Sequence, residues 1–144
     1  MNYLRILITA VILAIIAQII HTIEAMLTMK YYMMEQLFPV WSKVMMPQAG
    51  PPPPSFMYLS LAFGVLTAII FVVLFITLKN AVPGKGWLGK GLAWGLITFL
   101  LADLSGMLML YLLINLPKRL ILAWAISGLV IKLISGPVTA AINK

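Results

Sequence analysis

The sequence contains no cysteine, only three carboxylates and a single histidine. Without a thiol there is no disulfide, no thiolate metal site and no cysteine nucleophile. The one imidazole, His21, sits in the first apolar segment, and no serine stands in a nucleophile-elbow or triad context. The glycines from Gly84 to Gly95 lack the Gly-x4-Gly-Lys-Ser/Thr order and the preceding strand of a phosphate-binding loop. These absences predict a protein that is not an enzyme. Charge is scarce as well: 9% of the residues are charged, against about 25% in an ordinary soluble domain.

Apolar residues fill the space that charge leaves. They make up 63% of the chain, and the mean hydropathy is +1.10. Crossing the hydrocarbon core takes about 20 apolar residues, and the chain holds four such stretches with little left over. The expectation is an all-α polytopic membrane protein of one domain, an up-down bundle of four transmembrane helices over about 4–30, 56–78, 91–114 and 120–142. Residues 31–55 form the exposed loop between the first two helices. In that loop, aromatic and methionine residues from Tyr31 to Met46 predict an interfacial segment lying on the headgroups. The run Gly50-Pro51-Pro52-Pro53-Pro54 predicts a stiff polyproline II spacer. The first segment looks like a signal peptide, but Ile15 stands two places before Ala17 where cleavage would need a small residue, so it is expected to stay. The second span is the most uniformly apolar and is expected to face lipid most.

The net charge is +7. The basic residues are scattered at segment ends rather than clustered on one water-exposed face, which argues against nucleic acid and for lipid headgroups. With the N-terminus inside, Arg5, Lys79, Lys85, Lys90 and Lys144 fall on the inner side, and Lys30, Lys43, Lys118 and Arg119 on the outer side. That balance predicts both termini cytoplasmic and the proline-rich loop outside, in the inner (cytoplasmic) membrane.

Two constellations of ionisable residues lie within the spans. Asp103 and Lys132 flank the turn Asn115-Leu-Pro-Lys-Arg119 and are equidistant from its centre, so an antiparallel hairpin sets them level. An unpaired charge near the bilayer centre costs roughly 2.5–3.5 kcal/mol on insertion scales, which predicts an ion pair. At 100° per residue, Gly95, Phe99, Asp103, Gly106 and Leu110 share a face, as do Ala125, Gly128, Lys132, Ser135, Gly136 and Thr139. Gly91, Gly95, Gly106, Gly128 and Gly136 are the expected close-packing positions, because small residues let membrane helices approach. Pro137 can bend the last helix. The pair reads as a static tie fixing helix register, as a proton or ion relay, or as a pair satisfied by another subunit.

His21 and Glu24 are the second constellation, on one face with Thr28, and are expected to bond to each other or to water near the outer headgroups. A di-metal bundle site would need further ligands that the chain lacks. A haem on His21 would need a second axial ligand from a methionine or a neighbouring chain. Met26, Met29 and Met33 repeat at helical spacing, with Met34, Met45 and Met46 beyond them. Thioethers suit Cu(I), yet such a stripe reads first as adaptable packing. No cofactor or metal is expected.

From Phe56 onward the chain has a glycine-containing second helix, Pro83-Gly-Lys-Gly86, Lys90-Gly-Leu-Ala-Trp-Gly95, and Asn115-Leu-Pro117 ahead of a tryptophan-containing last helix. In these features it resembles a type of small, uncharacterised bacterial four-helix integral membrane protein, a resemblance that implies no activity and no catalytic residue. The expected role is a structural or accessory subunit of a larger membrane complex. Its partners would be the lipid bilayer and other membrane subunits or further copies of itself. The alternative is a small proton-coupled transporter or channel working as a homo-oligomer through Asp103, Lys132 and Glu24.

Overall fold

The computed structural model describes residues 2–48 and 51–143. Gly50, at the head of the proline run, and Lys144, counted among the inner cations, lie outside the described residues. Four helices are long and apolar enough to cross a membrane: α1 (Tyr3–Tyr32), α2 (Pro54–Leu78), α3 (Gly86–Leu113) and α4 (Lys118–Ile142). No strand occurs among the described residues, so the all-α, four-span expectation holds.

Local chemistry sets the ends. Asn2 caps α1 by accepting a hydrogen bond from the Arg5 amide at 3.2 Å. Pro54 takes the first helical position of α2, where a missing N–H costs nothing. Of the four prolines, then, only Pro51 to Pro53 remain outside a helix. At the other end of α2, Lys90 donates to the carbonyl of Lys79 at 2.7 Å. Gly84 and Gly86 take positive φ (119° and 64°), turn the chain within a few residues, and let α3 start at Gly86, five residues before the expected position.

The helices pack in a chain of neighbours. α1 lies against both α2 and α4, and α4 against α3. α2 and α3 make little backbone contact and meet through side chains: the Trp94 ring of α3 lies 5.7 Å from Phe71 and 6.0 Å from Phe75 of α2. On the side of the bundle that carries the termini, Ile6, Ala10, Leu13, Val72, Phe75 and Trp94 form a continuous core. On the opposite side a second cluster joins Tyr32, Leu37, Met46, Leu116, Leu120 and Ile121.

That second cluster gives the Tyr31–Met46 segment its packing partners. After α1 a short 3-10 helix (Glu35–Val40) buries Leu37, and Trp41 stacks at 5.1 Å on Tyr32 and 6.3 Å from Trp124. The chain thus folds over the end of the bundle, where its apolar side chains meet the α3–α4 turn. The most exposed span is also the third rather than the second. α2 turns Ala68, Phe71, Val72 and Phe75 inward, whereas Ser105–Leu113 of α3 buries no residue.

A cavity between the helices as the candidate functional site

The seam between α3 and α4 is made by backbone. A Cβ on Gly91 would strike the backbone of Pro137, one on Gly95 the Lys132 carbonyl, and one on Gly136 the Gly91 carbonyl. These three positions therefore let the two helices touch main chain to main chain. Gly128 is different: a Cβ there would lie 3.6 Å from Asp103 Oδ1, so this glycine makes room for the carboxylate.

Gly106 departs from the expectation altogether. A Cβ built on it meets nothing within 4 Å, and the residue is exposed. The reason lies seven residues upstream: α3 is α-helical over Gly86–Thr98, π-helical over Phe99–Leu104, and α-helical again over Ser105–Leu113. The Ser105 hydroxyl donates to the Leu100 carbonyl, five residues back, at 3.1 Å. A π turn inserts one extra residue and rotates the rest of the helix by about one helical position. Met107 takes the inward place that Gly106 would have held, and Asp103 sits within the widened turn.

Asp103 and Lys132 are brought together, with Lys132 Nζ 3.5 Å from Asp103 Oδ2 and side-chain exposures of 16% and 25% for the lysine and the aspartate. They are not level, however. α3 ends at Leu113 and α4 begins at Lys118, which sets Asp103 opposite Gly128, about one turn of 5.4 Å along α4 from Lys132. The long lysine side chain spans the difference. On its way it places Nζ 5.1 Å from the centre of the Phe71 ring, so one cation links α2, α3 and α4.

His21 and Glu24 do not bond to each other. Glu24 is buried, and its Oε1 pairs with the Thr28 hydroxyl at 2.8 Å, one turn along α1. His21 lies within electrostatic reach of Asp103. The two constellations that look separate in sequence are in fact one. His21, Glu24, Asp103 and Lys132 all line a cavity of about 950 Å³ between the helices, a size typical of small-molecule sites. Leu13, Ala68, Phe71 and Ser135 bound it toward the termini; Trp41, Met45 and Pro51 to Pro54 bound it at the loop side. Gln18, Ser60 and Thr67 add uncharged polar groups. Six methionines (Met26, Met29, Met33, Met45, Met57 and Met107) and Trp124 supply much of the apolar wall.

No signal in the sequence marks this convergence. The π turn and the fold-back of Trp41 are both tertiary outcomes, though Asp103 and Glu24, as polar residues inside apolar spans, point to the region. No group of three or more His, Asp or Glu side chains suited to a metal ion occurs among the described residues. The chain matches no known family, characterised protein or solved structure, so its function has to be read from the site.

Proposed function

We propose that this chain is a non-catalytic, membrane-embedded binding protein that takes a small amphiphilic molecule into the cavity between its helices. The observation that carries the reading is that every ionisable residue in the middle of the spans reaches one cavity. A charge held within a membrane is costly and marks a functional site by default. A mere register tie would not need to border open volume, and here the glycine seam of Gly91, Gly95 and Gly136 already fixes register. The packed cluster of Ile6, Val72, Phe75 and Trp94 lies between the cavity and the termini side, which favours binding over conduction. In keeping with the lysine and arginine distribution, we place both termini on the cytoplasmic side of the inner membrane.

The test uses the cavity's own tryptophans. In lipid nanodiscs, 1-bromodecanol should quench Trp41 and Trp124 fluorescence saturably, and Thr67→Phe, which fills the α2 wall, should weaken that quenching about tenfold. Quenching that rises linearly with probe and is unchanged in the variant would sink the proposal.

A second reading, an accessory subunit of a larger membrane assembly, is favoured by the loop-side end of α3. No residue of Ser105–Leu113 is fully buried, and Leu108, Met109, Leu112 and Leu113 stand exposed on a free helix face. Mild-detergent purification from the native membrane that yields a stoichiometric membrane partner would support it; a monomer without one would count against it.

A further inference from the structure

We propose that the cavity is built for a zwitterionic amphiphile, a molecule with an ammonium and an anionic group on one compact head and an apolar tail. This rests on the binding reading above. The Asp103–Lys132 contact is loose. Its 3.5 Å separation exceeds the roughly 2.7–2.9 Å of a charge-assisted hydrogen bond. Among the described residues no hydrogen bond reaches Asp103 and Lys132 donates to no acceptor; Oδ2 is enclosed beside the ammonium, so Oδ1 is the oxygen open to a ligand. The other neighbour of Lys132, the Phe71 ring, attracts the cation but supplies no lone pair.

The cavity wall therefore presents two opposite charges side by side, each with spare hydrogen-bonding capacity. A head with a single charge would leave that charge uncompensated among apolar walls, whereas a zwitterion sets its ammonium on Asp103 and its anion on Lys132 and keeps the site neutral. Glu24 also borders the cavity, but it is only 8% exposed and Thr28 holds its Oε1, so the Asp103–Lys132 pair is the more open partner for a charged head. His21 and Gln18 border the same space with polar groups for the rest of the head. Toward the loops, Met29, Met107 and Trp124 give a pliable apolar surface suited to a tail.

Four probes with one tail test this: N-dodecylglycine, dodecylamine, dodecanoate and dodecanol, each competing with 1-bromodecanol quenching in phosphatidylglycerol nanodiscs, corrected for partitioning into protein-free discs. N-dodecylglycine should bind at least tenfold more tightly than the other three, and Lys132→Met and Asp103→Asn should each abolish the preference. The ranking in the unmodified protein stands even if a variant fails to fold. Equal affinity for all four heads, or tighter binding of a singly charged or neutral head, would overturn the zwitterion while leaving the binding reading intact. Absence of saturable binding by any probe, 1-bromodecanol included, overturns both. Weaker apparent binding in phosphatidylethanolamine discs would identify the bilayer lipid as the occupant. Unchanged binding there would identify a free amphiphile.

Discussion

On the termini side of the bundle α3 and α4 meet backbone to backbone, with Gly91 against Pro137 and Gly95 against the Lys132 carbonyl. On the loop side the same two helices part around Asp103 and border a cavity of about 950 Å³. The change happens within one element, at the π turn over Phe99–Leu104. Before it, small residues give close van der Waals contact, the main source of association where no hydrophobic effect operates between helices. After it, the register shift sends Gly106 outward, so the second half of α3 cannot continue the seam. One half of the molecule is thus a rigid clasp, and the other is a space held open by it.

Four substitutions would break or sharpen this contrast. The largest effect is expected at the seam: Gly136→Val forces a branched side chain onto the Gly91 carbonyl and should cost about 3 kcal/mol or more, at the upper end of overpacking. Unfolding in mixed detergent micelles with rising SDS would measure it. Next comes Asp103→Asn, which leaves Lys132 without its counter-charge and should destabilise by about 2–3 kcal/mol. Adding Lys132→Met should recover at least half of that loss in the same assay, and a double variant no more stable than the single one would contradict the pairing. Tyr32→Phe removes the oxygen that accepts from Trp124 Nε1 at 3.0 Å, and about 1 kcal/mol should go with it. The smallest effect belongs to Gly106→Ala. Nothing surrounds the new methyl group, and alanine is the better helix former by up to about 1 kcal/mol, so this variant should be neutral or slightly more stable. Strong destabilisation there would mean that the register shift after the π turn is wrong.

Much of this architecture is legible in residue order. The four spans come from uninterrupted apolar runs longer than the bilayer requires, and the Gly91, Gly95 and Gly136 faces come from helical periodicity. The contact of Asp103 with Lys132 is a consequence of the cost of isolated charge, although their levels are not. A level placement assumes helices meeting symmetrically at the turn, and an extended Ile114 ahead of Pro117 moves the centre by two residues. Gly106 escapes the helical pattern because a π turn has no composition of its own, and one inserted residue redirects every side chain beyond it. His21 and Glu24 stay apart for a local reason: Thr28, one turn further along α1, offers the carboxylate a better-placed hydroxyl. That all four ionisable residues surround one cavity depends on how far α1 stands from α3, which no short-range pattern encodes.

The absence of native cysteine makes the central claim directly measurable. Single cysteines at Gln18, Ser60 and Thr67, which line the cavity and are not buried, and at Thr9, Val72 and Ala140, which lie in the packed termini-side half, would be exposed in nanodiscs to a small membrane-permeant maleimide. The account predicts fast labelling of the first three and protection of the last three. Protection of Ser60→Cys and Thr67→Cys to the same degree as Val72→Cys would contradict it.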